Sequence, residues 1–581
     1  MTMQRLPDFP ELKYRRRIIV GAFMAGAALL VWRATVLQLE ESEFLQSRGD
    51  ARYLRTDQIH AGRGMLLDRN GEPLAISTPT QSAWVRPDIF TRERARWSEV
   101  TAPLGVSVEQ LDALVTPRLK RQFVYVRRQM DPAASAAVMK LGLSGLEMQT
   151  EYRRYYPNAE MAAHVVGFTN VDDQGQEGAE LSFETSLRGE PGLRRVIKDN
   201  RGRIVEDVER LRPVRAGQDL YLSIDQRVQY VAYRELKAAV FTHKARAGTV
   251  VILDPWTGEI LALVNQPSFN PNNRDDYQVE RYRNRAVTDL FEPGSTIKPF
   301  TVAIALESGL YSPDSPIETA PGFFKVGRHT VRDIHNYGTL DVAGVIAKSS
   351  NVGASKIALS LEPERLWHGF YSFGFGSQSA IELPGETLGR LNDYGNWSEI
   401  EHATLAFGYG LSVTAVQLAR AYGALANGGW LLPVSVTRAP EATLSRQRVV
   451  EADTAAMVRA MLEQVILRGT GKAAGVPGYS VAGKTGTVHK SIETGYAEER
   501  YLSLFAGMIP ASQPRLVAVV VLDEPRDGEY FGGRVAAPVF SAIMREATRI
   551  LDIPSDAPLE TSPASLWLAG HERVVERAGL Q

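Results

Sequence analysis

The sequence predicts a multidomain α/β (α+β) chain with one N-terminal transmembrane helix, a β-rich middle region and a larger C-terminal domain. Three observations lead to this fold class. An uncharged apolar run occupies 18–32. Short strand-like stretches separated by turn residues fill 61–215. Beyond 216, strand patterns stand at both ends of a long segment with helical patterns between them, which indicates mixed sheet and helix layers.

The composition narrows the classes of function. The 581 residues are enough for several cores, and 44% are hydrophobic. A net charge of −1 gives no basic surface for nucleic acid. The chain has no cysteine, so disulfides, thiolate metal sites and cysteine nucleophiles are excluded. The nine histidines show no metal-ligand spacing, and we expect neither a metal nor a cofactor.

The apolar run has the features of a membrane anchor. Four basic residues precede it, namely Lys13, Arg15, Arg16 and Arg17. Extended to Leu39, the run reaches ~33 Å as a helix, enough to span a hydrocarbon core of ~30 Å. Basic residues before it and Glu40 after it place the N-terminus in the cytoplasm and the rest of the chain outside. A cleaved signal peptide and a buried helix are the alternatives. The poor cleavage site at 32–36 and the arginine flank disfavour them.

Composition and turn signals divide the chain into segments. Asn70-Gly71 predicts a hairpin, a helix begins after Ser223 or Asp225, and two apolar runs around 255–258 predict another hairpin. Further helical patterns lie near 338–362, 412–427 and 452–466, and late strands near 501–506 and 516–522. The predicted segments are a cytoplasmic tail (1–17), the anchor (18–39), a juxtamembrane linker (40–60), a non-catalytic domain (61–215), a catalytic domain (216–553) and a loosely ordered tail (554–581).

One Ser-x-x-Lys motif, Ser295 to Lys298, is present in the chain. If Ser295 opens a helix, Lys298 lies one turn later on the same face, and Pro299 fits the first turn. A serine needs a nearby base to become a nucleophile, and a lysine becomes such a base only when burial or a second cation lowers its pKa. Taken alone, the motif is far more often an ordinary helix start with an exposed lysine.

Two later motifs offer the missing groups. Ser349 and Asn351 are two residues apart, so a hydroxyl and an amide can converge on one pocket from a loop between helices. Lys484-Thr485-Gly486-Thr487 follows a strand-like stretch. Lys484 supplies a second cation that lowers the pKa of Lys298.

Further expectations follow for the third motif. Gly486 leaves room for an extended substrate along the strand. Thr485 and Thr487 present hydroxyls to a carboxylate, and the N–H groups of Ser295 and Thr487 suit an oxyanion hole. Each motif alone is ordinary turn or edge chemistry, but the three in this order identify an active-serine site.

The three motifs together are those of the penicillin-interacting serine enzymes. Over roughly 15–550 the chain resembles the class B penicillin-binding proteins, which are membrane-anchored peptidoglycan D,D-transpeptidases, and within them the division-specific penicillin-binding protein 3 subfamily. The stretches that carry the resemblance are 62–75, 292–300, 408–419, 421–427, 481–487 and 530–533.

The resemblance implies a two-step acyl transfer. Ser295 would attack the penultimate D-Ala carbonyl of a stem peptide and release D-Ala, and an amine of a neighbouring stem would then form a 4,3 crosslink. Lys298 would be the base, Ser349 a proton relay and Asn351 a substrate holder. The resemblance also implies carboxylate binding, of D-Ala or of a β-lactam, by Lys484, Thr485 and Thr487. It further implies an aromatic wall for which core packing is the alternative: Tyr409, Tyr501, Tyr530 and Phe531.

The architecture implied by the resemblance is an elongated β-rich pedestal of the dimerisation type over 61–215, followed by a penicillin-binding transpeptidase domain with a β-lactamase-like central antiparallel sheet. It implies a single-pass protein of the bacterial inner membrane with a periplasmic catalytic domain, partnered by an FtsW-type glycan polymerase and other division proteins. His489 follows the third motif at a place where close relatives often carry arginine. A D,D-carboxypeptidase, a β-lactamase-type hydrolase and a division scaffold with a vestigial site remain the alternatives, although no deacylating glutamate stands out.

Overall fold

The structure is a computed structural model that describes residues 10–40, 54–198, 204–273, 278–438, 445–492 and 495–558. An N-terminal helix α1 (Pro10–Thr35) continues into one π-helical turn (Val36–Glu40). Its side chains from Tyr14 onwards are almost all exposed. The stretch Tyr14–Leu39 is long and apolar enough to cross a membrane. The predicted anchor therefore forms a helix of the required length and composition. The predicted cytoplasmic tail lies outside the described residues as far as residue 9.

The region after the anchor is built from strands and short helices. The strands are β1 (Leu54–Ile59), β2 (Leu66–Leu67), β3 (Pro73–Val85), β4 (Val124–Met130), β5 (Leu146–Tyr155), β6 (Phe168–Thr169), β7 (Gly175–Glu177), β8 (Gly192–Lys198), β9 (Ile204–Arg212) and β10 (Leu220–Tyr221). The helices are α2 (Pro87–Phe90), α3 (Trp97–Leu104), α4 (Val108–Val115), α5 (Pro132–Leu141), α6 (Ala163–Val166), α7 (Gly178–Ser182) and α8 (Glu184–Leu187).

Two sheets organise this region. One has the order β10-β2-β3-β4 with β5 also paired to β3, and the other has the order β1-β8-β9. The predicted Asn70-Gly71 hairpin is confirmed, because β2 and β3 pair antiparallel across that turn. The last part of the linker predicted over 40–60 is instead a strand. Residues 54–59 form β1, because the backbone of β8 pairs with them along their whole length. The rest of the linker, 41–53, lies outside the described residues.

A buried ionic network ties β5 to α7 and to the segment just before β2. The guanidinium groups of Arg63 and Arg154 each donate to one carboxylate oxygen of Glu180 at 2.6 Å. The side chains of Arg63, Arg154 and Glu180 are at most 1% exposed. Burying charges is costly unless each is paired, so the three residues depend on one another.

The C-terminal domain alternates strands and longer helices. Its strands are β11 (Ala247–Leu253), β12 (Ile260–Gln266), β13 (Pro316–Glu318), β14 (Phe323–Val326), β15 (His329–Arg332), β16 (Thr339–Asp341), β17 (Trp430–Leu431), β18 (Gln447–Arg448), β19 (Ala482–Ile492), β20 (Gly495–Ile509) and β21 (Leu516–Asp523). Its helices are α9 (Gln226–Thr242), α10 (Val279–Tyr282), α11 (Arg285–Thr288), α12 (Lys298–Glu307), α13 (Val342–Lys348), α14 (Asn351–Leu359), α15 (Pro363–Ser372), α16 (Glu399–Leu405), α17 (Ala415–Ala426), α18 (Ala452–Arg468) and α19 (Gly532–Ile550).

A five-stranded antiparallel sheet of order β12-β11-β21-β20-β19 forms the centre of this domain. Its side chains alternate between two cores, as the period of a strand requires. In β21, Val519 packs into the core that contains α12 and α17, and Val520 packs into the core that contains α9 and α19. The predicted antiparallel sheet enclosed by helices is therefore confirmed, and β19 forms one edge of it.

The structure decides between two predicted helix caps and changes two other local predictions. Asp225, and not Ser223, caps α9, since its carboxylate accepts from the Arg227 N–H, while Ser223 donates to the Ile260 carbonyl. The helical stretch predicted near 338–362 begins as strand β16 and breaks between α13 and α14. The start of the predicted tail is fixed, because Asp556 accepts a hydrogen bond from the Ser480 N–H. Residues 559–581 of that tail lie outside the described residues.

Candidate active site

Ser295 lies on a tight turn that leads into α12. Residues Gly294–Ile297 form a single 3-10 turn, and Lys298 begins the α-helix. Gly294 has a φ of +53°, and a Cβ there would lie 2.4 Å from Cγ2 of Val488 on β19. Glycine is therefore required for both the backbone conformation and the close approach of the strand. Ser295 is partly exposed, and Lys298 follows about one turn later with a fully buried side chain, which excludes the exposed lysine of an ordinary helix start.

The ammonium group of Lys298 reaches the second motif. Its Nζ lies 2.6 Å from the Ser349 carbonyl, 3.2 Å from Ser349 Oγ and 2.8 Å from Oδ1 of Asn351. A lysine Nζ has at most three protons to donate, so these three acceptors fix its direction. Lys298, Ser349 and Asn351 thus form one hydrogen-bonded group. The sequence predicted that Ser349 and Asn351 converge on one pocket, but not the contact between Asn351 and Lys298.

Ser349 owes its position to an unusual backbone conformation. It ends α13 with a φ of +62°, and Ser350 then caps α14 through its hydroxyl. The left-handed region is costly for a residue with a Cβ and is found mostly where the surroundings enforce it. Here it turns the Ser349 carbonyl and hydroxyl back toward Lys298.

Lys484 on β19 contacts the same hydroxyl from the other side. Its Nζ lies 2.9 Å from Ser349 Oγ and 3.1 Å from the Thr485 carbonyl, and its side chain is fully buried. The Ser349 hydroxyl therefore bridges the two lysines. A hydroxyl both donates and accepts, so this arrangement can pass a proton from one lysine to the other.

Both lysines are shifted toward their neutral forms. Burial lowers the pKa of Lys298 well below its usual range, the charge of Lys484 lowers it further, and Asp333 opposes the change. Burial lowers the pKa of Lys484 to about 7. The sequence predicted the effect of the second cation, but burial is the larger cause, because transfer from water disfavours an ammonium ion.

The two threonines of the third motif, Thr485 and Thr487, form hydrogen bonds through their hydroxyl groups. The Thr485 hydroxyl lies 2.7 Å from that of Thr470, and the Thr487 hydroxyl accepts from the Gly532 N–H at 2.9 Å. Gly486 has a packing role that the sequence did not reveal. A Cβ there would lie 3.0 Å from Cγ2 of Thr296 and 3.2 Å from the Pro293 carbonyl. The missing side chain therefore makes room for the Ser295 turn, and room for a substrate stays a prediction.

Asp333 is a site residue that sequence reasoning missed. Its carboxylate accepts from Ser350 Oγ and from the Asn351 N–H at 2.5 Å, and from the Val352 N–H at 3.0 Å. It thereby holds the second motif at the N-terminus of α14, where a negative charge is favourable. No local pattern could reveal it, because the aspartate lies 17 residues before Ser350 and outside any capping spacing.

The predicted aromatic residues form two clusters. Tyr501 and Tyr530 stack with ring centres 4.0 Å apart, Phe531 lies 4.6 Å from Tyr530, and His489 lies 4.5 Å from Tyr501. Tyr409 packs against the core and contacts Tyr496, which the sequence did not single out, at 5.5 Å. Tyr409, Tyr501 and Tyr530 are all partly exposed and Phe531 is 46% exposed, but of the four only Tyr409 packs against the hydrophobic core, so core packing explains Tyr409 better than the other three.

The described residues contain no set of side chains suited to bind a metal ion. Across the described ranges, no group of three or more His, Asp or Glu side chains is placed to hold a metal ion. The chemistry that the site offers is that of a serine, a buried amine base, a bridging hydroxyl and a second buried cation.

Comparison with family models divides the chain into two matches. Residues 248–545 match the penicillin-binding protein transpeptidase domain, and residues 58–222 match the penicillin-binding protein dimerisation domain. All three motifs fall inside the first match.

Curated relatives are similar over nearly the whole chain. The chain is 41% identical to the probable peptidoglycan D,D-transpeptidase PbpC of Pseudomonas aeruginosa, over 95% of this chain and 97% of that protein. It is 40% identical to the peptidoglycan D,D-transpeptidase FtsI of Escherichia coli K12, over 94% and 93%. It is 42% identical to the probable peptidoglycan D,D-transpeptidase PenA of Neisseria meningitidis, over 93% of each.

Solved structures agree with these matches. The transpeptidase domain of penicillin-binding protein 3 from Burkholderia pseudomallei is 44% identical, covers 58% of this chain and 98% of that one, and superposes with a TM-score of 0.54. Penicillin-binding protein 3 of Mycobacterium tuberculosis in complex with aztreonam is 29% identical, covers 87% of this chain and 99% of that one, and has a TM-score of 0.66.

Proposed function

The chain belongs to the class B penicillin-binding proteins, and from that premise we propose that it is a peptidoglycan D,D-transpeptidase that crosslinks stem peptides through a Ser295 acyl-enzyme. One observation carries the proposal. The Ser349 hydroxyl bridges two fully buried lysines, Lys298 and Lys484, and Lys298 lies one turn after a partly exposed serine.

The first step is acylation. Ser295 Oγ attacks the penultimate D-Ala carbonyl while neutral Lys298 takes its proton, and the new Oγ–C bond forms a tetrahedral oxyanion. The N–H groups of Ser295 and Thr487 stabilise that oxyanion, which commonly contributes a factor of ~10² to 10³ in rate. The C–N bond then breaks, and the terminal D-Ala leaves with a proton that Lys298 returns through the Ser349 hydroxyl.

Substrate binding uses the free edge of the central sheet. As the end strand in the sheet order, β19 has one edge available for an added strand. Lys484, Thr485 and Thr487 bind the D-Ala carboxylate, Asn351 holds a substrate carbonyl, and Gly486 lets the serine turn approach β19. Tyr409, Tyr501, Tyr530 and Phe531 line the cleft.

In the second step an amine of a neighbouring stem attacks the acyl carbon and releases Ser295. A β-lactam follows the first step alone and leaves a long-lived adduct, which inhibits the protein. The chain combines this site with a dimerisation-type region and an N-terminal apolar helix. This combination favours a crosslinking enzyme over a hydrolase such as a β-lactamase or a D,D-carboxypeptidase.

We place the chain in the bacterial inner membrane with a single pass. Three arginines, Arg15 to Arg17, precede the apolar stretch of α1 and hold that end in the cytoplasm, so the catalytic domain is periplasmic. The domain limits predicted from the sequence, 61–215 and 216–553, are part of the proposal. A role in septal synthesis with an FtsW-type glycan polymerase follows from the similarity to FtsI.

A fluorescent penicillin tests the acyl-enzyme. The full chain in detergent is incubated with the probe, and retention of the label on the protein is followed over hours. We expect a stable covalent adduct that Ser295→Ala abolishes and that Ser308→Ala leaves intact. Ser308 caps the C-terminal end of α12, the helix into which the Ser295 turn leads.

The outcomes separate the candidate functions. Loss of the label within minutes would favour a β-lactamase, and no labelling would refute the acyl-enzyme. A thioester donor with and without a D-amino acid acceptor then distinguishes transfer from hydrolysis. Hydrolysis unaffected by the acceptor would replace the transpeptidase with a carboxypeptidase.

A further inference from the structure

A turn outside the three motifs contacts the carboxylate-binding strand. It covers 469–475, between the end of α18 and the start of β19. The hydroxyl of Thr470 in this turn lies 2.7 Å from the Thr485 hydroxyl on β19. No sequence pattern indicates Thr470, because it lies 15 residues before its partner. None of the catalytic steps uses it.

Close packing fixes the backbone of this turn. A Cβ at Gly469 would lie 2.4 Å from the Ala347 carbonyl in α13, the helix that ends at the second motif. A Cβ at Gly533, in the first turn of α19, would lie 2.4 Å from the Thr470 carbonyl. The Gly469 N–H also donates to the Val465 carbonyl of α18 at 3.1 Å. The contact between the two hydroxyls is therefore set by three surrounding helices.

The neighbouring threonine shows how a partner can direct a hydroxyl proton. Thr485 and Thr487 are two residues apart on β19, so their side chains share one face of the strand. The Thr487 hydroxyl accepts from the Gly532 N–H at 2.9 Å. An N–H can only donate, so Thr487 uses a lone pair here and keeps its own proton for a ligand. A carboxylate only accepts hydrogen bonds and requires this orientation.

Thr485 has a different kind of partner. In the described part of the chain, its hydroxyl bonds to the Thr470 hydroxyl and to no N–H group. Either of the two hydroxyls can be the donor. When Thr470 donates, Thr485 keeps its proton for a ligand. A carboxylate beside Thr485 favours this direction, because a hydroxyl that already accepts a hydrogen bond is a stronger donor.

The two hydroxyls differ in their access to water. Thr485 is only 7% exposed, whereas Thr470 is exposed. Water can therefore replace a lost partner of Thr470 more easily than a lost partner of Thr485. A buried polar group that loses its partner is destabilised by more than an exposed one. The orientation of the Thr485 hydroxyl thus depends on Thr470.

We propose that Thr470 is a positioning residue of the carboxylate site, where its hydroxyl donates to Thr485 Oγ1 and thereby directs the Thr485 proton at the carboxylate of the terminal D-Ala or of a β-lactam. The inference rests on the proposed function, since it assumes that Thr485 binds a carboxylate. It also makes Thr470 a determinant of specificity. The chain of two hydroxyls stabilises an anion much more than a neutral group in the same place.

Replacement of Thr470 by valine and by serine tests the proposal. Valine has the shape of threonine but no hydroxyl, and serine keeps the hydroxyl without the methyl group. The second-order rate constant of acylation is measured for the full chain in detergent. Benzylpenicillin is compared with its methyl ester, which has the same acyl group but no carboxylate. Thr339→Val is the matched control, since Thr339 is also exposed and also donates to a side chain, at Oε2 of Glu318.

The two compounds separate positioning from a structural role. We expect Thr470→Val to lower the rate with benzylpenicillin about tenfold and the rate with the ester less than about twofold. Thr470→Ser and Thr339→Val should keep both rates within about twofold of the wild type.

Three outcomes would overturn the proposal. They are an unchanged rate with benzylpenicillin in Thr470→Val, an equal loss with both compounds in that variant, and an equal loss in Thr470→Ser, which would assign the effect to the methyl group. Absence of acylation by benzylpenicillin in the wild type would instead overturn the proposed function.

Discussion

Replacing Asp333 with asparagine tests whether the second motif must be held in place for Ser295 to react. Asp333 accepts three hydrogen bonds, from Ser350 Oγ and from the N–H groups of Asn351 and Val352. Asparagine has the same shape but no charge, and one of its two terminal atoms donates instead of accepting. The Ser350 hydroxyl or the two N–H groups then lose their acceptor.

The expected cost follows from these contacts. A hydrogen bond to a charged group contributes ~1.5–3 kcal/mol, and an anion at a helix N-terminus adds ~0.3–1 kcal/mol. We therefore expect Asp333→Asn to lower the free energy of unfolding by ~2 kcal/mol. If the acylation transition state loses the same ~2 kcal/mol of stabilisation, the acylation rate falls about 30-fold.

A second effect distinguishes positioning from general destabilisation. Asp333 raises the pKa of Lys298, opposing burial and Lys484. Without the anion this pKa falls further, so the base form of Lys298 persists to lower pH. The acidic limb of the rate profile should then move to lower pH although the rate at its maximum is reduced.

The assay is the acylation rate with benzylpenicillin between pH 5 and 9, together with chemical denaturation. The control is Asp341→Asn, at another aspartate that caps a helix, α13, by accepting from the Gly344 N–H. It should lose only ~0.3–1 kcal/mol of stability, because asparagine caps a helix about as well as aspartate and only the charge is lost, and it should leave the pH profile unchanged. The reasoning would be refuted if Asp333→Asn kept the wild-type acylation rate and profile.

Three further predictions follow from the site and the core. Lys484 has a pKa of about 7 and must be charged to bind a carboxylate. The rate of acylation by benzylpenicillin should therefore fall as the pH rises through about 7. A rate that stays level up to pH 9 would contradict the assignment of Lys484 as the carboxylate-binding cation. Gly486→Ala should slow acylation at least ~10-fold by pushing the serine turn from β19, whereas Gly62→Ala, where a Cβ meets nothing within 4 Å, should have no effect on the rate. Glu180→Gln should lower the free energy of unfolding by ~3–5 kcal/mol, because the two buried arginines Arg63 and Arg154 lose their shared carboxylate. Urea denaturation measures this change. A change below ~1 kcal/mol would contradict the dependence of the two arginines on Glu180.

Much of the fold and the main elements of the site could be predicted from local pattern. The continuous apolar run of 516–522 predicted a strand, and both faces of that strand, β21, are buried. The three motifs predicted which hydroxyls and amines meet, because their order and chemistry constrain them to one reaction. Pairing partners far apart in the chain were beyond such patterns. Residues 54–59 contain no strong strand signal, and they form β1 only because β8 lies beside them.

By itself the sequence determined the serine, the two lysines, the bridging hydroxyl and the anchor helix, because each is written in a short motif whose chemistry has few alternatives. Only the tertiary structure decided how these groups act. Burial in the core, more than the second cation, depresses the pKa of Lys298. The left-handed conformation of Ser349 and the remote carboxylate of Asp333 orient the second motif. These properties depend on solvent exclusion and long-range contacts, which no local stretch of sequence contains.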